Sequence, residues 1–191
     1  LHIMPDGVRV VSGGELLQIE DATKLDVPVE VYYDIISKKT ASLIKTACLA
    51  GCHSVSQDEN AHNVMAEVGY NMGMAFQIKD DLLDLGKDDI GKPLAIDIRD
   101  QKMTLPLIYT LEKCSFVERT KLLALLRFRN KKASSIQTII SAIDKYKGME
   151  YAEGKMNLYA NKAKDLLSSY PETDYKRAFI SMIDFVVKRK K

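Results

Sequence analysis

Tryptophan is absent from this 191-residue sequence, which has only 5 prolines, 10 glycines and 3 cysteines. So few helix breakers leave most of the chain free to coil into helices. Cys48, Cys52 and Cys114 cannot build a disulfide framework, and their odd number suits a reducing compartment, so a cytoplasmic protein is expected. Cys48 and Cys52 stand one helical turn apart and read as small core residues. His53 adjoins them, but no further C-x-x-C or H-x-x-x-H supplies the spacing of a metal site. No apolar run reaches the roughly 20 residues a bilayer requires, and no secretory leader is recognisable. The formal net charge of +2 gives no electrostatic case for nucleic acid.

What is present is ordinary globular material, 46% apolar and 28% charged, sufficient for one domain with a real core. Helical periodicity is expected over 8–21, from Asp26-Val27-Pro28 to about Gly51, and from Gln57 to Leu85. It returns over Met103–Cys114, Ser115–Phe128, Ser134–Tyr146, Met149–Tyr170 and Thr173–Lys188. Gly86 to Ile98 reads as a loop, and Lys188-Arg189-Lys190-Lys191 as a solvated basic tail. No segment alternates like a strand. The expected architecture is an all-α bundle forming a single domain over 1–191.

One helix carries an electrostatic problem. Asp80, Asp81 and Asp84 crowd the end of the segment Gln57–Leu85, and residues three and four apart share a helix face. Like charges so close require a cation, and a hard divalent ion such as Mg²⁺ suits carboxylate oxygens. Gly69, Gly73, Gln77, Asp80 and Asp84 fall on one stripe of the same helix. The glycines read either as a contact for a neighbouring helix or, together with the acids, as the wall of a roomy cavity with an anionic mouth. Such a cavity fits an apolar substrate with a diphosphate head, neutralised by Mg²⁺ on one side and by Lys39, Lys92 and Lys102 on the other.

These residues resemble the trans-isoprenyl (polyprenyl) diphosphate synthases. Gly14-Glu15-Leu16-Leu17-Gln18, Lys39-Thr40-Ala41-Ser42-Leu43, Gly69 through Phe76-Gln77-Ile78-Lys79-Asp80-Asp81-Leu82-Leu83-Asp84, and Gly91-Lys92-Pro93 through Lys102 to Leu107 match that family's motifs in order. The resemblance implies the isoprenoid-synthase helical bundle and a Mg²⁺-dependent prenyl transfer. An allylic diphosphate would ionise and its carbocation would alkylate isopentenyl diphosphate. Asp80 would then be a Mg²⁺ ligand, with Asp81 and Asp84 assisting directly or through water. Lys39, Lys92 and Lys102 would hold the allylic diphosphate, Thr40 and Gln77 would face the cation, and Phe76 would lie by the isopentenyl group. A homodimer is implied as well.

The family also carries an earlier D-D-x-x-D, and none precedes Gly69 here. The chain opens in mid-flow at Leu1 and reads as the C-terminal portion of a synthase: an incomplete bundle, inactive alone, from an enzymatic parent. The alternative is a catalytically silent partner subunit of a heteromeric synthase.

Overall fold

The computed structural model describes residues 9–14, 25–86, 95–128 and 132–190, and all regular structure among them is helical. Residues 9–14 form α1. The rest of the helix expected over 8–21 lies outside the described residues. Then come α2 (Val29–Ile36), a π-helical turn (Ser37–Ala41), α3 (Ser42–His53), α4 (Glu59–Leu85), α5 (Ile96–Arg99), α6 (Leu105–Lys113), α7 (Phe116–Arg127), α8 (Ala133–Lys145), α9 (Gly148–Leu167) and α10 (Asp174–Lys188).

Local chemistry sets the starts of these helices. The Asp58 carboxylate accepts the Asn60 N–H at 3.0 Å and caps α4. The Ser115 hydroxyl accepts the Glu118 N–H at 3.3 Å and caps α7. The Thr173 hydroxyl accepts the Lys176 N–H at 3.2 Å and opens α10. Two expectations need correction. The segment from Pro28 to Gly51 is not one regular helix, because the π turn interrupts it. The expected loop Gly86–Ile98 ends in the short α5, entered through Ala95 at φ 59°; residues 87–94 lie outside the described residues.

Helix α4 has 27 residues, about 40 Å of rod, and is the axis of the assembly. The π turn, α3, α9 and α10 pack around it. Its buried Val68, Met72, Met74, Ala75, Ile78 and Leu82 anchor one apolar core with α9 and α10. A second core lies among α6, α7 and α8, built on Leu107, Leu126, Ile139 and Ile143, and Met103 packs against both.

The glycine stripe of α4 does not open a cavity. A Cβ on Gly69 would sit 2.7 Å from the Ile44 carbonyl oxygen, and one on Gly73 would sit 2.5 Å from Ala41 Cα. The space that two missing side chains leave is filled by α3 and the π turn. Of the two readings of these glycines, close packing is the correct one. Its consequence is functional all the same, since it presses the π turn onto α4 just where the acids begin.

Candidate active site

The π turn places Lys39 and Thr40 against α4. Its wider coil re-aims side chains that an α-helical turn would direct elsewhere, and such turns recur at functional sites. The Thr40 hydroxyl donates to Gln77 Oε1 at 2.8 Å. Gln77 Nε2 in turn reaches Asp81 Oδ1 at 3.4 Å, a long bond. The amide is thereby oriented, nitrogen toward the acid and oxygen toward the hydroxyl, while the Thr40 oxygen keeps its lone pairs.

Asp81 is the hub of this network and is only 6% exposed. Its Oδ2 accepts the Tyr32 hydroxyl at 2.8 Å and, more weakly, the Leu105 N–H at 3.4 Å. Burial raises its pKa to about 7; the Tyr32 bond opposes the rise and the nearby Asp97 charge adds to it. Burial and the Asp81 charge likewise push the Tyr32 hydroxyl well above its ordinary value, so it stays a donor. Both Asp81 oxygens are thus committed inside the protein.

Asp84 closes the end of α4. Its carboxylate accepts the Asp97 N–H at 3.0 Å and its carbonyl accepts the Ala95 N–H at 3.1 Å, which fastens α5 to α4. Burial, and then repulsion from Asp97, raise its pKa. Lys102 Nζ lies 2.6 Å from Asp97 Oδ1. Burial disfavours its charge, but Asp97 outweighs burial and holds the lysine above its usual pKa. A cavity of about 140 Å³ joins these groups, with Lys39, Gln77, Asp81, Asp97 and Lys102 in its lining.

Asp80 faces another way. The expected basic tail is not solvated at Arg189: that side chain is 12% exposed and pairs with Asp80, itself 41% exposed. Arg189 Nη2 also donates to the Phe76 carbonyl at 3.2 Å, and the guanidinium lies over the Phe76 ring at 4.0 Å. The carboxylate crowding is relieved within the protein by Arg189 at Asp80, whereas at Asp81 the hydrogen bonds offset only part of the cost of burial. Among the described residues no three histidine, cysteine, aspartate or glutamate side chains form a metal-binding group.

Lys39, Thr40, Gln77, Asp81 and Lys102 are brought together. Phe76 and Asp80 adjoin them on the next face of α4, and Asp84 caps the end. Lys92, with Gly91 and Pro93, lies outside the described residues. An apolar groove of about 780 Å³ between α3, α4 and α10 passes Met72, one turn before Phe76, and is lined also by Leu43, Ala47, Met65, Phe179 and Met182. Sequence reasoning missed Tyr32, Asp97 and Arg189. Tyr32 was findable, since it lies seven residues, two turns, before Lys39; no local pattern marks Arg189. His53 does have a neighbour, His62, with the two Nδ1 atoms 3.4 Å apart, remote in sequence from the aspartates.

Comparison with known proteins shows the family of the chain and its fold. The family described as polyprenyl synthetase matches residues 1–143. The short chain isoprenyl diphosphate synthase of Methanothermobacter thermautotrophicus is 32% identical over 191 residues, covering 99% of this chain and 58% of that protein. The geranylgeranyl diphosphate synthase of Sulfolobus acidocaldarius is 33% identical over 195 residues, with coverage of 99% and 58%. The crystal structure of geranylgeranyl pyrophosphate synthetase from Pyrococcus horikoshii superposes with a TM-score of 0.92 at 27% identity, over 99% of this chain and 58% of that one. The chain therefore spans rather more than half the length of these relatives. No described helix is long and apolar enough to cross a membrane. Three-quarters of the sequence matches one family, and the fold it adopts is that of solved synthases: the chain belongs to the polyprenyl synthetase family.

Proposed function

We propose that this chain is the C-terminal part of a cytoplasmic trans-prenyl diphosphate synthase, which joins an allylic diphosphate to isopentenyl diphosphate. The observation that carries the reading is the chain of contacts Thr40–Gln77–Asp81–Tyr32, whose last three members line the same cavity as Lys39 and Lys102. In the reaction the allylic C–O bond breaks, the cation alkylates the isopentenyl double bond, and a proton leaves to give a trans alkene. A nucleophile near the cation would trap it. The site offers oriented oxygens instead: the Thr40 hydroxyl and the Gln77 carbonyl, held by an acid too buried to attack. Lys39 and Lys102 take the diphosphate, for which Lys102 exchanges Asp97 for phosphate oxygens. Lys92 is proposed as a third cation there. Phe76 faces the isopentenyl side, and the apolar groove receives the hydrocarbon.

The donor set fits Mg²⁺ in part. Asp80 and Asp84 are partly exposed carboxylates with hard oxygens. Asp81 does not fit as a direct ligand, because both its oxygens are bonded inside the protein. Bound Mg²⁺ would stabilise the departing pyrophosphate. Asp81 keeps Gln77 in register for that moment.

The earlier D-D-x-x-D is absent from this sequence, so the 191-residue chain alone is expected to be inactive and the activity to belong to a longer parent. The test has two arms. In a parent carrying both motifs, Asp80→Ala should cost most of the Mg²⁺-dependent incorporation of labelled isopentenyl diphosphate; unchanged turnover at saturating Mg²⁺ would reject the assignment. The purified chain should give no product with farnesyl diphosphate, and product formation would show the first motif to be dispensable.

A second reading has one observation in its favour. The heptaprenyl diphosphate synthase component 2 of Bacillus subtilis is 28% identical over 191 residues. Its name describes one part of an assembly, so this chain could serve a heteromeric synthase, whereas the first reading predicts a homodimer. Mass measurement of the assembled parent, by light scattering, separates the two.

A further inference from the structure

We infer that the guanidinium of Arg189 holds the place on Asp80 that a divalent cation must take, so that metal loading and release of the C-terminal arm are one exchange. The inference rests on the reading of Asp80 as a metal ligand.

Four contacts define the arm. Arg189 pairs with Asp80 Oδ1, donates to the Phe76 carbonyl at 3.2 Å, lies over the Phe76 ring at 4.0 Å, and ties its own backbone N–H to the Phe185 carbonyl at 2.9 Å. The first three involve the side chain alone. Helix α10 ends at Lys188, and Arg189 has extended backbone at φ −57° and ψ 145°. The guanidinium can therefore leave Asp80 by turning its own side-chain bonds, with α10 undisturbed. Lys188 does not share the role, since its ammonium turns back to Asp184 at 3.3 Å.

The latched pose also carries a cost. Arg189 Nε is buried and makes no hydrogen bond. A buried, charged N–H without an acceptor is penalised, so the arm is held by its ion pair against an unfavourable contact. Arginine stays protonated at any working pH and cannot yield by losing its charge. A divalent ion on the same oxygen would meet a full positive charge a few ångströms away. The two cations exclude one another at Asp80, and the arm must move.

The same logic appears at Lys102, whose ammonium is paired with Asp97. Across the site, acids and bases neutralise each other until metal and diphosphate separate them. Arg189 differs because it comes from the far end of the sequence, and its departure also uncovers the face of Phe76.

The experiment uses the 191-residue chain with Mn²⁺ as probe, free metal being counted by its EPR signal. Arg189→Gln should bind Mn²⁺ about three- to tenfold more tightly than wild type, roughly 0.7–1.4 kcal/mol; the partial exposure of Asp80 keeps the gain modest. Arg189→Lys, which keeps charge but loses the planar fork, should fall between. Carboxypeptidase B gives an independent reading on the unaltered chain. Without metal it should remove Lys191 and Lys190 and slow at Arg189; Mn²⁺, or Asp80→Asn without metal, should restore rapid removal of Arg189. Equal Mn²⁺ affinity in wild type and Arg189→Gln, with Arg189 trimming indifferent to Mn²⁺, overturns the exchange and leaves Asp80 free to be a ligand. Mn²⁺ bound as tightly by Asp80→Asn as by wild type overturns the metal reading of Asp80 and the exchange with it.

Discussion

Replacing Asp81 by Asn should make the protein more stable in mild base while dismantling the order of its site. Asp81 has an ordinary pKa of 3.8 and a folded value of about 7, raised chiefly by burial. The folded protein thus binds a proton that the unfolded chain has released, and stability falls as pH climbs from about 4 to 7. Three pH units at about 1.4 kcal/mol each give a ceiling of about 4 kcal/mol at pH 8. The adjoining 140 Å³ cavity gives water a path to the carboxylate and lowers the realised figure. Asn is nearly isosteric and neutral at every pH. Its carbonyl can accept from Tyr32 and Leu105, but its amide then faces Gln77 Nε2, donor to donor. Gln77 must flip, so that its nitrogen turns to Thr40 and its carbonyl leaves the cavity. Urea unfolding of both proteins at pH 4.5 and pH 8 is the assay. The two should be nearly equal at pH 4.5, where Asp81 is protonated, and Asp81→Asn should lead by about 2–4 kcal/mol at pH 8. An Asn variant that trails wild type at pH 8, or a difference that does not change with pH, would refute the argument that an uncompensated buried charge sits there.

Other perturbations test the supports around that acid. Tyr32→Phe removes a bond that holds the Asp81 pKa down, so the fall in stability with pH should extend above 7; urea unfolding from pH 6 to 9 would reveal an unshifted profile if the bond is unimportant. Gly73→Ala drives a Cβ to within 2.5 Å of Ala41 Cα and should cost about 1–3 kcal/mol by overpacking, measured by urea unfolding, with a neutral result contradicting the close approach. The groove and the exposed apolar side chains Leu43, Met182 and Phe185 should make the chain self-associate, and light scattering that finds a strict monomer at high concentration would count against an unfilled face.

Helices were legible wherever periodicity and caps agreed. Asp58, Ser115 and Thr173 sit where α4, α7 and α10 start, and long apolar stripes fixed the all-α class. The π turn was not legible: no local pattern marks it, and its close contact, Ala41 against Gly73, joins residues far apart in sequence. The candidate site divides the same way. Lys39, Thr40, Gln77 and the aspartates announce themselves as motifs, and four of the named residues do line one cavity: Lys39, Gln77, Asp81 and Lys102. Arg189 did not, since a basic run at a chain end looks the same whether it is solvated or folded back. Composition identifies such a run; only tertiary contact shows its partner.

The spacing D-D-x-x-D itself divides the three carboxylates. On a helix turning about 100° per residue, the first and last of the motif lie about 40° apart, while the middle one is about 100° from the first. With Asp80 turned toward Arg189 and Asp84 toward the Asp97 N–H, Asp81 turns inward. There it meets Tyr32 and the Leu105 amide, and the same rotation puts Gln77, one turn earlier, within its reach. Two acids are left to answer cations from outside, and one to lock the amide that orients Thr40. Exchanging the roles would require a different spacing, not a different residue. An Asp81→Glu variant keeps the charge but lengthens the arm in a packed site, so it should disturb Gln77 and Thr40 while leaving Asp80 and its Arg189 partner in place. Trimming of Arg189 by carboxypeptidase B should then match wild type even as stability falls by about 1–3 kcal/mol. Faster trimming would mean that the two faces of α4 are coupled, contrary to the division that the helix imposes.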